Sequence, residues 1–94
     1  MQVSFSSVLE DGRDATAIGR IRVTMRWRAA AEEGGEAERA AAVEALMREA
    51  AEYGADAIVD VRFETDEAKG LDFEGVALRR VAVSGLAVRF ARAA

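Results

Sequence analysis

The stretch that decides the fold is Tyr53–Glu64, "YGADAIVDVRFE". Gly54 stands where a helix must turn left-handed in order to end. Asp56, in the "GADA" turn, is placed to accept hydrogen bonds from backbone N–H groups just after the helix. Ala57, Val59, Val61 and Phe63 then share one pleat of a strand, and Ile58, Asp60, Arg62 and Glu64 share the other. Asp60 sits in the middle of the apolar run. It is either a functional carboxylate or the outward tooth of a half-buried sheet.

Upstream of this stretch the pattern has a period of 3.6. Val43, Leu46, Met47, Ala50 and Tyr53 mark one face of a helix over about Glu36–Tyr53. Glu36 and Glu38 fall in its first turn, where they complement the helix dipole. "AAAEEGG", Ala29–Gly35, joins this helix to an earlier strand. That strand, Ile18–Arg28, alternates cleanly: Ile21, Val23, Met25 and Trp27 on one face, and Arg20, Arg22, Thr24, Arg26 and Arg28 on the other. Val3–Val8 reads as a short strand and Glu10–Asp14 as a turn.

Downstream, Thr65–Gly70 reads as a polar turn, and Gly75 opens or bends the last strand. That strand is long and apolar, and it changes parity at Ser84–Gly85. Val81 and Val83 precede the change; Leu86, Val88 and Phe90 follow it. Either a bulge at Ser84–Gly85 keeps all five on one face, or both faces of the strand are covered. The glycine at the break favours the bulge.

The order β-β-α-β-β specifies an α+β fold in a single domain, residues 1–94. One helix packs on an antiparallel sheet, with the last strand in the centre. One helix covers one face. The other face presents Arg20, Arg22, Arg26, Asp60, Arg62, Glu64 and Arg89, and is either solvated or pressed against another copy of the chain.

Composition removes several chemistries. The 94 residues include no Cys, no His and no Pro. Disulfides, thiolate and imidazole catalysis and the usual zinc ligands are therefore out of reach. A net charge of −4 argues against a polyanion partner. No apolar run reaches the roughly 18–20 residues of a membrane span, and "MQVSFSSVLEDG" lacks the parts of a signal peptide. The expected setting is the cytoplasm, with no nucleic acid, no membrane and no cofactor.

"AAVEALMREAAEYGADAIVDVRFE" followed by "VAVSGLAVR" resembles the YbjQ-like family of small bacterial proteins over about Ala41–Arg89. The resemblance implies a dodecin-like β-α-β-β subunit with extra short strands, assembled as a homopentamer, and a heavy-metal-binding label. Three features depart from the family pattern. Asp60 stands where the family commonly has glycine, the "AAAEEGG" connection is short, and Leu86 follows Gly85 in place of threonine. Soft metals prefer thiolate or imidazole donors, and this chain has neither.

The candidate sites follow. Glu64, Asp66, Glu67, Asp72 and Glu74 form an acidic segment that could take a hard cation, although their spacing matches no calcium loop. Arg22, Asp60, Arg62, Glu64 and Arg89 are candidates for an oligomer face or lumen. Gly54, Asp56 and Gly85 read as structural turn residues. Ser84 has no base to activate it, so no enzyme is expected. The expected function is a homo-oligomeric binding or assembly module. The alternative is a divalent-ion or small-ligand binder using these carboxylates.

Overall fold

The computed structural model describes residues 1–7, 14–29, 35–69 and 77–91. The elements are β1 (Gln2–Val3), β2 (Ala15–Thr24), β3 (Arg28–Ala29), α1 (Gly35–Glu52), β4 (Ala57–Lys69) and β5 (Ala77–Phe90). The sheet order is β1-β4-β5-β2, with β3 also pairing with β5. The last strand is therefore central, as its apolar length predicts. The sheet is mixed and not purely antiparallel, because β1 runs parallel to β4. Val8, the Glu10–Arg13 part of the predicted first turn, and Gly75 lie outside the described residues.

The helix ends as the glycine requires. Gly54 has φ +74°. Its N–H donates to the Ala51 carbonyl at 3.0 Å, and the Ala55 N–H donates to the Ala50 carbonyl at 3.2 Å. These two bonds are the Schellman pair, which satisfies carbonyls that the helix leaves open. The Asp56 carboxylate then accepts from the Phe90 N–H at 2.8 Å, and the Asp56 N–H donates to the Val88 carbonyl at 2.9 Å. The turn is thus fastened to the end of the central strand.

The buried stripe of α1 is Glu38, Ala42, Leu46 and Ala50, spaced by four. Val43 and Met47 flank it, and Tyr53 lies outside the core at 56% exposure. The stripe packs on Ile58, Val61, Val81, Val83 and Ala87, with Ile21, Val23, Met25 and Phe63 around them. Gly85 lies beneath Leu46: a Cβ there would overlap Ile58 Cγ2. Its small size lets the helix sit close to the sheet.

A bulge exists, but on the neighbouring strand. Val59 pairs with Leu86 and Arg62 with Ser84, so β4 carries one extra residue across this interval. Against β2 the register of β5 runs unbroken through Ser84 and Gly85. Asp60, with φ +52°, takes the left-handed bulge position that glycine usually fills. The extra residue inverts the parity of β4. Ile58, Val61 and Phe63 face the helix, whereas Ala57 and Val59 face away and pack with Leu86, Val88 and Phe90. Both faces of β5 are therefore apolar, and the prediction that Ala57, Val59, Val61 and Phe63 share one face is corrected.

Thr65–Lys69 is strand and not turn. It continues β4 against Ala77–Val81. Its residues are polar, yet they keep the period of two that the ladder needs. β2 also breaks earlier than predicted. Met25 still bonds the Val81 carbonyl at 2.8 Å, but the pairing resumes only at Arg28–Arg79. The interruption leaves Trp27 41% exposed at the sheet margin, outside the core.

Candidate functional site

The sheet face away from α1 carries an arginine–carboxylate array. Cross-strand neighbours share a face, so the β4–β5–β2 register decides its members. Ser84 lies between Arg22 and Arg62, and Leu86 lies between Arg20 and Val59. The bulge presents Asp60 to this face. Its carboxylate meets Arg20 Nη1 at 3.0 Å and Arg62 Nη2 at 3.2 Å. Arg20 Nη2 also donates to the Asp60 carbonyl at 3.0 Å and to Ser84 Oγ at 3.1 Å. One guanidinium thereby ties β2, the β4 bulge and β5 together.

Two further pairs extend the array. Arg22 meets Glu64 at 3.0 Å, and Arg80 meets Asp66 at 3.0 Å. The Arg80 guanidinium also lies 4.5 Å from the centre of the Trp27 ring. The Arg22–Glu64 pair is well exposed and contributes little to stability. Asp60 is the better enclosed carboxylate. Partial desolvation pushes its pKa up, but the hydrogen bond from Arg20 and the field of Arg62 outweigh this and hold it below the ordinary 3.8.

Of the five residues predicted for an oligomer face, Arg22, Asp60, Arg62 and Glu64 do share this face. Arg89 does not. It follows the helix-facing Ala87 by two residues, so it lies on the α1 side. There its Nε and Nη2 approach the carbonyls of Gly54 and Tyr53 at 3.4 and 3.5 Å. A cation there complements the negative end of the helix. Gly85 is a packing residue and not a turn residue. Gly54 and Asp56 hold the positions predicted for them.

The acidic segment does not converge. Glu64 and Asp66 face the array, each bound to an arginine, whereas Glu67 pairs with Arg79 in the ladder and faces the helix side. Asp72 and Glu74 lie outside the described residues. Among the described residues no group of three Asp, Glu, His or Cys side chains could hold a metal ion. Also among them, no helix is long and apolar enough to cross a membrane.

Sequence reasoning missed Glu38. Its place in the first turn suits the helix dipole, but its side chain is only 4% exposed and accepts a hydrogen bond from Arg79 Nη2 at 3.2 Å. Glu38 begins the i+4 series that continues through Ala42, Leu46 and Ala50, but only the packing of that series on the sheet shows it to be the buried stripe.

The sequence profile of the YbjQ family, described as "Putative heavy-metal-binding", matches residues 12–91. The chain belongs to this family. No curated protein sequence matches it. In this YbjQ-family chain the described donors do not suit a heavy metal. Soft ions favour sulfur and imidazole, and the chain has no Cys and no His. The carboxylates of the array already serve as partners for guanidinium groups.

Proposed function

We propose that this YbjQ-family protein is a non-enzymatic, cytoplasmic, homo-oligomeric module for binding or assembly. Shape is the observation that carries the reading. The Cα radius of gyration is 16.0 Å and the extents are 61 × 21 × 16 Å. A compact chain of this length would have a radius of about 12 Å. The 18-residue helix is about 27 Å long. The 14-residue β5 reaches about 46 Å. Among the described residues, a single helix leaves much of the β4–β5 ribbon, and the second face beyond the buried patch of Ala57, Val59 and Val88, without a covering layer. Sheets with one such face are stabilised by a neighbouring layer, and a second copy supplies one.

The number five comes from the family resemblance. The ion-pair array then recurs once per subunit, and its cross-strand arginines would fix the register of the face that meets a neighbour. The engagement of Ser84 Oγ as an acceptor from Arg20 favours a structural role for that hydroxyl. Native mass spectrometry of the full chain tests the reading. Five copies are expected, and a monomer at every concentration would overturn it.

The alternative, a divalent-ion or small-ligand binder, draws on the family description. Calorimetric titration with Ca²⁺, Mg²⁺, Zn²⁺ and Cu²⁺ separates the two. Heat of binding at stoichiometric ion would favour the alternative, and none with any ion would dismiss its metal arm.

A further inference from the structure

The sheet has a long open edge on each side. In the order β1-β4-β5-β2, strand β2 is outermost on one side. On the other, β1 and the residues after it bond only Ile58, Asp60 and Val61 of β4. Among the described residues, no strand pairs with the outer side of β2 or with that side of Arg62–Lys69. The Met25 N–H donates inward to the Val81 carbonyl at 2.8 Å, and the register with β5 is unbroken from Gly19 to Thr24. Alternation therefore turns the backbone N–H and C=O groups of Arg20, Arg22 and Thr24 outward. Such an edge invites another strand unless proline, a bulge or short length blunts it. The chain has no proline, and Gly19–Thr24 carries no bulge.

A groove of about 380 Å³ runs beside this edge, between Ile18–Arg22 and the helix-end residues Glu49 and Tyr53. Ile18 and Tyr53 are exposed in it. A strand edge flanked by a helix and a groove suits strand addition, in which main chain supplies the hydrogen bonds and alternate side chains enter the groove.

Charge decides which strand is added. A two-fold union of β2 with itself would set Arg20 and Arg22 against the same two arginines, and like charges across strands are destabilising. The free edge of β4 complements β2 instead. On the array face it carries Glu64 and Asp66, which outnumber Arg62. On the helix face it carries Phe63, stacked on the exposed Phe5 with ring centres 6.1 Å apart. Carboxylates thus meet arginines on one face, and aromatic rings meet Ile18 and Tyr53 on the other. β2 and β4 both run antiparallel to β5, so a rotation about an axis along the strands joins them as a parallel pair.

We propose that the outer edge of β2 takes up the Arg62–Lys69 edge of β4 from a second copy of this chain, so that one sheet continues from copy to copy. This rests on the homo-oligomeric reading above and names the edges that join neighbours. The contact is heterologous: each copy offers one edge of each kind, and repetition closes a ring.

Thr24→Pro removes an outward donor and leaves the bonds to β5 intact, as proline on an edge strand allows. Thr24→Ala keeps the N–H. With folding checked by circular dichroism, light scattering over a dilution series should show Thr24→Ala assembling as the parent does. Thr24→Pro should fall apart at a protein concentration about ten-fold higher. The chain has no cysteine, so added thiols report contacts without background. Thr24 and Ala68 lie on the array face of their strands. The single variants Thr24→Cys and Ala68→Cys, mixed, left to exchange subunits and treated with a flexible bis-maleimide, should give a cross-linked dimer. Either variant alone should give none. A parent chain that is a monomer at every concentration would overturn the oligomeric reading and this one with it. A parent oligomer that Thr24→Pro leaves as stable as Thr24→Ala, or a dimer that links within one single variant and not in the mixture, would overturn the edge contact alone.

Discussion

Replacing Gly85 with Ala tests how closely the helix approaches the sheet. The added methyl would overlap Ile58 Cγ2 and come within 3.3 Å of Val61 Cγ2 and 3.4 Å of Leu46 Cδ2. Ile58 and Leu46 are 1% and 0% exposed, so neither can swing into solvent. Removing a glycine stiffens the unfolded chain and returns about 0.4–1 kcal/mol. Overpacking a tight core costs about 1–3 kcal/mol. The steric effect dominates, and a net loss of about 1–2 kcal/mol is expected. For a domain of this size that lowers the Tm by about 4–16 °C. The assay is thermal melting by circular dichroism at fixed protein concentration, because assembly couples stability to concentration. Ile58→Ala removes the clashing methyl, so the double variant should be more stable than the two single losses predict, by at least about 0.5 kcal/mol. A Gly85→Ala protein as stable as the parent, or strict additivity in the cycle, would refute the packing of Leu46 and Ile58 over Gly85.

Gly54→Val forces a β-branched residue into the left-handed Schellman position and should cost about 1–2 kcal/mol or more. An unchanged urea midpoint would mean that the helix does not end there. Asp60→Asn keeps a residue that tolerates φ +52° but removes the charge. The folded pKa of Asp60 is depressed, so its stabilisation is complete above the ordinary carboxylate range and is lost as pH falls through the folded value. The parent should therefore be more stable than Asp60→Asn at neutral pH, with the gap closing in acid and narrowing in high salt. A gap independent of pH would show that the Asp60 charge does not act through Arg20 and Arg62. Arg89→Ala should cost about 0.3–1 kcal/mol by removing the cation from the helix C-terminus. A neutral effect in a low-salt urea titration would discount that contact.

Much of the fold is legible in the residues. Ile21, Val23 and Met25 alternate as a strand, Leu46 and Ala50 repeat as a helix, and Gly54 marks its end. The central place of β5 follows from its apolar length. The bulge was harder to place, because a period of two says where parity changes but not which strand carries the extra residue. The parity break in β5 is real and needs no bulge there, since both of its faces are packed. The inserted residue is Asp60, which tolerates the left-handed region less readily than glycine but is held by two arginines. Thr65–Lys69 has the charged composition of a turn, yet Glu64 and Asp66 alternate with Thr65 and Glu67 as a strand requires. At the site, Arg22, Asp60, Arg62 and Glu64 could be grouped from the alternation alone. Glu38 could not be recognised as buried without knowing which stripe of α1 meets the sheet.

Light scattering of the full chain on a size-exclusion column, at micromolar concentration, tests the central claim most directly. The account predicts a mass several times the 10.1 kDa of one chain, five times if the family resemblance extends to assembly. A mass of 10.1 kDa would contradict it and leave the array of Arg20, Asp60 and Arg62 as a solvated face of a monomer.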